Sequence, residues 1–414
     1  MLRKELLMGY IAAANVALSF YLVASFLPIY LDLQGVSLTS IGLIFAFAAM
    51  VAGVLRFPIG TFTDKMGRRP LILLGAIGYP IFGIGVALAS TTNQFITLKI
   101  LIELFAAIFW TAYWAYLYDT IHRGKEGREI SFSYIFVGTG AIIAPLFGGY
   151  IISQYGFSLL FYLAAIVGFV NLIFISFAVK EKPVKNTETI KQLEEDLLKE
   201  YTDIINIKKF RIYLTIGVLH NIIWAIWWVY MPIHLSNIGI GIMQIGFILA
   251  LARLSDIVLA YPLGKLIDKV PSKYLIIPGF LLIWISGYAF LLSKQFIGLA
   301  ASRMSMSAGY LFNWQPLMAR LSHLTPRKEH GGTIGLFRAG CAIAIGLATI
   351  TAGYFANIYG IPAVLWVVSS FALVIAISLI FINSGIKEKG RTLLAKHHLV
   401  NLHEENGPGH KKLH

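Results

Sequence analysis

Arg56-Phe57-Pro58-Ile59-Gly60-Thr61-Phe62-Thr63-Asp64-Lys65-Met66-Gly67-Arg68-Arg69-Pro70 interrupts two long apolar runs with one compact charged turn. Runs of about 20 apolar residues match the thickness of a bilayer core, so the turn reads as the connection between two membrane helices. Composition agrees: 57% of the residues are hydrophobic and 13% charged, where soluble domains carry about a quarter charged residues. The chain belongs in a bilayer. Its single cysteine, Cys341, lies in an apolar run and excludes an intramolecular disulfide framework and a Cys-based zinc site.

On either side of this turn, apolar runs predict twelve helices near 6–31, 39–62, 70–90, 95–120, 130–152, 157–179, 211–235, 243–263, 274–293, 296–320, 332–356 and 361–383. Their connections alternate in charge. One side carries Arg3 and Lys4, Lys65 with Arg68 and Arg69, Arg123 with Lys125 and Arg128, the stretch from Lys180 to Arg211, Lys265 with Lys269 and Lys273, Arg327 with Lys328, and the tail from Lys387 to Lys412; on the other side only Lys294 is basic. Basic connections stay inside, which puts both termini in the cytoplasm of a cell whose plasma membrane holds the protein. This distribution also explains the net charge of +14 without a nucleic-acid partner. The first apolar run is too long for a cleavable signal and lacks a small-residue cleavage pattern.

The sequence contains a weaker copy of itself. At an offset of 204 residues, Pro28 matches Pro232, Ser40-Ile41-Gly42 matches Gln244-Ile245-Gly246, Pro58 matches Pro262, Gly60 matches Gly264, and Asp64-Lys65 matches Asp268-Lys269. The same offset pairs Gly149-Tyr150 with Gly353-Tyr354 and Gly156 with Gly360, while an offset of 201 pairs Gln94-Phe95-Ile96 with Gln295-Phe296-Ile297. Two homologous halves follow, as in transporters whose repeats are related by an axis along the membrane normal. The halves span about 1–180 and 211–384. Between them, 181–210 reads as a cytoplasmic linker with Ile190, Leu193, Leu197, Leu198 and Tyr201 at helical spacing, and 385–414 as a cytoplasmic tail.

The pattern Gly60-xxx-Asp64-xx-Gly67-Arg68-Arg69 resembles the signature between the second and third helices of the major facilitator superfamily. The resemblance implies an all-α membrane protein with the MFS fold, twelve transmembrane helices in two pseudo-symmetric six-helix bundles that rock around a central site. In that setting Gly60 lets two helices approach, Asp64 sits among cations or helix N-termini, Gly67 permits a tight turn and Arg68 and Arg69 hold it at the cytoplasmic face. Asp119, matched by the 201 offset to Arg320, is expected to join Arg56, Asp64 and Arg338 in a cytoplasmic latch, with Gly264 and Asp268 as the second-half counterparts of Gly60 and Asp64. Gly140, Pro145, Gly148 and Gly149 look like the glycine-proline motif in the fifth helix of the superfamily's antiporters; the sequence departs from it at Ser131 and Ala144.

A charge in a bilayer helix costs about 2.5–3.5 kcal/mol on insertion scales, so such residues face water-filled cavities or one another. Lys99 and Glu103 are four apart in the fourth helix, on a stripe with Trp110 and Trp114; Arg303, Tyr310, Asn313 and Trp314 lie on the pseudo-equivalent tenth. The resemblance implies that both stripes look into the central cavity. Glu103 is the first candidate for proton coupling and Asp256, three residues from Arg253 in the eighth helix, the second; a structural ion pair is the alternative for each, with Lys99 reaching to the interface. Trp110, Trp114 and Trp224 offer stacking surfaces, Asn15, Asn221 and Asn313 offer uncharged hydrogen bonds, and Trp228, Tyr230 and Tyr118 read as interface anchors.

No Gly-xxxx-Gly-Lys-Ser/Thr, His-Glu-xx-His or Gly-x-Ser-x-Gly element occurs, so neither ATP-driven pumping nor intramembrane hydrolysis is expected. His397, His398, His403, His410 and His414 are irregularly spaced, and no metal site or cofactor is expected. The sequence thus reads as a secondary transporter rather than an enzyme, and the resemblance implies a monomer. Its partners are a small-molecule substrate, protons or another coupling ion, and the lipid bilayer. Proton-coupled efflux of lipophilic or aromatic compounds is the first reading; uptake of a sugar or small organic anion is the alternative.

Overall fold

The structure, a computed structural model, describes residues 2–121, 126–180, 204–267, 269–321, 324 and 330–381, without the side chains of 2–3, 56–58, 60–65, 126–127 and 330–332. Most of the expected linker, Asp268 and the tail with its five histidines lie outside the described residues. Arg56, Gly60 and Asp64 are placed as helix backbone only, so the core of the expected latch lies outside the described side chains.

Among the described residues, twelve membrane-length helices follow one another. The first runs over Leu2–Ala24 and continues as Leu27–Leu33; the second to sixth are Leu38–Met66, Arg68–Leu88, Thr92–Thr120, Glu126–Tyr155 and Phe157–Ala178. The seventh to twelfth are Lys208–Asn237, Ile242–Ile267, Lys273–Leu292, Phe296–Leu321, His330–Tyr359 and Ile361–Phe381. Their ends agree with the apolar runs to within a few residues. Several overrun those runs on the side that carries the basic connections, here called the basic face, where polar helix ends meet water. Eleven are apolar enough to count as membrane spans. The tenth falls short because Ser302, Arg303, Ser305, Ser307, Asn313 and Gln315 interrupt it.

Local chemistry fixes the turns. Gly67 adopts φ +87° between the second and third helices, a left-handed conformation that strains any residue with a Cβ. At the opposite, far face, Gly35 and Gly239 have φ +76° and +84°, and Gly156 and Gly360 both have +83°, so the 204-residue repeat is present in the backbone of the turns. Thr91 and Gln94 close a capping box at the start of the fourth helix. The first helix breaks at Ser25 and Phe26, just before Pro28, which has no N–H to offer the preceding turn.

Within each half the helices pack as third on fourth, third on sixth and first on fifth and sixth, with the matching pairs ninth on tenth, ninth on twelfth and seventh on eleventh and twelfth. The halves meet along two seams, second against eleventh and fifth against eighth. Large apolar side chains such as Phe177, Ile297, Val367 and Phe381 point outward and are exposed. In a bilayer that surface is the lipid contact, since lipid tails impose no penalty on it.

Both seams are built from glycine. A Cβ on Gly246 would collide with the Pro145 carbonyl, and one on Gly149 would crowd the backbone of Ile242 and Met243. In the other seam, Gly42 and Gly353 lie against backbone carbonyls of Thr349 and Leu38, and Gly53 and Gly346 against Ala342 and Met50. Near the far face this seam gains hydrogen bonds. The Tyr230 hydroxyl lies 3.3 Å from the Leu38 carbonyl of the first half, beside its 2.8 Å bond to the Thr349 carbonyl within the second, and Asn357 accepts from the Leu38 N–H and donates to the Thr39 hydroxyl, both at 3.2 Å. Tyr230 is therefore a buried tie between the halves, not an interface anchor. At the basic face, by contrast, no described atom comes within 4 Å of a Cβ built on Gly264, although its counterpart position was expected to support close packing.

Candidate functional site

Between the halves lies a cavity of about 430 Å³. The first half contributes Phe20 and Tyr21 from the first helix, Phe45 from the second, Tyr79 from the third, and Lys99, Glu103 and Trp110 from the fourth. The second half contributes Asn221, Trp224 and Trp228 from the seventh helix, Arg253 from the eighth, Trp314 from the tenth, and Arg338, Cys341 and Thr349 from the eleventh.

Helical spacing sets the first ionic pair. Lys99 and Glu103, one turn apart, form an ion pair in the cavity wall. Lys99 is only 4% exposed, so it does not reach for the membrane interface. Its ammonium lies 5.5 Å from the centre of the Phe20 ring and 5.3 Å from that of Phe45, which shield it as cation–π partners. Trp110, two turns further along the same stripe, packs edge-on to Phe109 and Tyr113 and presents its remaining surface to the cavity.

The second pair stands at the other wall, which Arg253 lines with Asp256 behind it. Arg253 Nη1 lies 3.5 Å from Asp256 Oδ2, while Asp256 Oδ1 accepts a 2.6 Å hydrogen bond from Ser307 of the tenth helix. The Arg253 guanidinium sits 5.1 Å from the Trp228 ring and 5.4 Å from that of Tyr21, which belongs to the opposite half. Trp224 stacks on Trp228 at 5.6 Å with 9° between the planes. Trp228 therefore serves the cavity rather than the membrane interface, whereas Tyr118 is exposed at the end of its helix.

Several expected cavity residues are placed elsewhere. Arg303, Tyr310 and Asn313 are buried inside the second half, where the tenth helix packs on the eighth and ninth and Tyr310 meets His220 of the seventh. Asn313 fits against Gly279, leaving Trp314 as the tenth-helix residue of this stripe in the cavity wall. On the fourth helix Trp114 turns to Tyr134, 5.0 Å away, instead of the cavity. Asn15 and Asp256 are likewise absent from the lining. Asn221 lines the cavity and donates to the Gly217 carbonyl one turn back at 2.8 Å.

Sequence reasoning passed over Phe20, Tyr21 and Phe45, which look like ordinary core or lipid-facing residues until a cation is set against them. It also missed His220, buried in the seventh helix between Trp314, on which it stacks at 5.5 Å, and the edge of Tyr310. A lone histidine inside an apolar run was the available signal.

Glycines of the fifth-helix motif meet three partners: Gly140 the Ala14 carbonyl, Gly148 the Phe26 ring and Gly149 the eighth helix. At the basic face Arg68 Nε pairs with Asp119 at 3.1 Å, and Arg69 donates to the Ser176 carbonyl at 2.8 Å. Arg320 donates to Ser272 at 2.9 Å, so the residues matched by the 201 offset each tie the end of one helix to the start of its predecessor. Arg338 is exposed in the cavity wall near that face.

Two helical bundles closed around a central, ionic and aromatic hollow define a membrane carrier. The sequence profile of the Major Facilitator Superfamily matches residues 9–291 and 216–401, and the chain belongs to that family. It is 25% identical over 378 residues to an uncharacterized MFS-type transporter of Methanocaldococcus jannaschii, covering 91% of this chain and 97% of that one. It is 24% identical over 283 residues to the multidrug resistance protein MdtG of Klebsiella pneumoniae, covering 66% of this chain and 68% of that one. Among solved structures, the nucleoside transporter NupG superposes with a TM-score of 0.76 at 14% identity, covering 93% of this chain and all of the other.

Proposed function

We propose that this protein is a secondary active transporter that exports lipophilic or aromatic small molecules by alternating access, in exchange for protons. The observation that carries this reading is the cavity wall itself: a carboxylate, Glu103, faces a ring-lined hollow at the seam of two bundles. Relatives named for multidrug resistance support the choice of cargo at the level of their 24–25% identity. By the distribution of Lys and Arg, the basic face is the cytoplasmic side of the plasma membrane, with both termini there. The hydrogen-bonded far face is then the closed outer gate.

Glu103 is the proton carrier in this mechanism. Protonation removes its charge and slackens the hold on Lys99, whose ammonium keeps the fourth helix against the Phe20 and Phe45 rings of the first and second. Proton uptake on one side and cargo binding on the other thus act on one wall. In proteoliposomes with an imposed pH gradient, cargo should drive a change of internal pH in wild type, and Glu103→Gln should reduce it at least tenfold while leaving cargo binding measurable. An unchanged proton flux in Glu103→Gln would sink the coupling role. Uptake of a sugar or small organic anion is the second reading, favoured by Arg253 in the wall.

A further inference from the structure

We infer that the cargo of this site is a flat organic anion, an arene bearing a carboxylate or an equivalent acidic group, and that Arg253 receives its charge. The inference rests on the transporter reading for its physiological meaning, but the binding chemistry stands on the cavity alone.

Aromatic walls usually suggest lipophilic cations, because ring faces attract positive charge. Here the rings nearest the charges are already taken, while among the described residues Trp110, Trp224 and Trp314 carry no resident cation. Lys99 occupies the faces of Phe20 and Phe45, and Arg253 occupies those of Tyr21 and Trp228. A cationic guest would meet two resident cations competing for the same rings.

Charge balance points the same way. Lys99 is matched by Glu103, its neighbour on the helix. On the opposite wall one carboxylate serves two arginines. Asp256 gives one oxygen to Arg253 at 3.5 Å and the other to Ser307 at 2.6 Å, while Arg303, one turn before Ser307, is 6% exposed and has Nε and Nη1 without hydrogen-bond partners. The Arg253, Asp256 and Arg303 group therefore carries one excess positive charge within the membrane span. A buried charge without a counter-charge is unfavourable and draws an opposite charge to itself. Arg253 is the member of that group in the cavity wall, and its guanidinium has further N–H groups for a planar acid. Beside it, the stacked Trp224 and Trp228 supply a surface for a ring.

Three near-isosteric probes test this with the purified full-length protein: 2-naphthoate, 2-naphthamide and 2-naphthylmethylammonium, compared by titration calorimetry. Naphthoate should bind at least tenfold more tightly than the amide and more tightly still than the ammonium compound. Arg253→Gln should erase the preference by weakening naphthoate alone, and Arg253→Lys should keep part of it, which separates a charge effect from misfolding. Equal binding of the three probes, tighter binding of the ammonium compound, or an Arg253→Gln protein that still prefers naphthoate would overturn the inference. Flux assays on the same probes keep the two claims apart. Transport of the amide or ammonium compound without preference for the anion removes the cargo class and leaves the transporter reading; naphthoate that binds selectively but never crosses supports the anion site and removes the transporter reading.

Discussion

Lys99 and Glu103 show what a single spacing can disclose. Four residues apart on a membrane helix, they had to pair or face a cavity, and they do both. Removing Lys99 leaves a carboxylate in the wall of a narrow hollow. Breaking a buried pair costs about 3–5 kcal/mol, and access of water to the cavity lowers the expectation for Lys99→Met to roughly 1–3 kcal/mol. Thermal unfolding in detergent should show that loss, and the double variant Lys99→Met with Glu103→Gln should recover most of it. A double variant no more stable than Lys99→Met would contradict the pairing. Arg253 and Asp256 were legible in the same way. The rings that embrace the cations were not: Phe20, Tyr21 and Phe45 lie far from Lys99 and Arg253 in the chain, and an aromatic residue in an apolar run has the same pattern whether it meets lipid, core or ligand.

At the scale of the helix, apolar runs located eleven spans firmly and the polar-interrupted tenth less so, because a bilayer demands a length that is easy to read. Helix orientation was harder. The tenth helix was expected to turn Arg303, Tyr310 and Asn313 to the cavity, yet they are buried where it packs on the eighth and ninth and meets His220 of the seventh. Small residues that admit a neighbouring backbone carry clearer consequences. Gly246 abuts the Pro145 carbonyl, whereas no described atom comes within 4 Å of a Cβ on Gly264, so the two should respond differently to alanine. Gly246→Ala should destabilise the closed far face by about 1–3 kcal/mol through overpacking, and Gly264→Ala should stay within about 0.5 kcal/mol of wild type. Spin labels at positions 33 and 238 in a Cys341→Ser background would report the first as a shift toward longer distances. An unchanged distance distribution would mean that the fifth and eighth helices yield without parting.

For the molecule as a whole, the repeat was readable from paired motifs, and the turns at Gly35, Gly156, Gly239 and Gly360 carry it into the backbone. Which surfaces the halves use against each other was not readable, since glycine marks a close approach without naming the partner. The overall charge movement is testable. Export of an organic anion together with proton entry carries positive charge inward, and each elementary charge gains about 2.3 kcal/mol from a potential of 100 mV. Flux should therefore rise when a potassium diffusion potential makes the cytoplasmic side negative; voltage-independent flux would require an electroneutral cycle. The seam between the second and eleventh helices has a bearing on speed. Glycines there meet the Thr349 and Leu38 carbonyls and the side chains of Ala342 and Met50, secured near one edge by Tyr230 and Asn357, so separation has few interlocked rotamers to unthread. Such smooth rails predict low friction for the rocking stroke, with its activation barrier concentrated in a handful of polar fasteners.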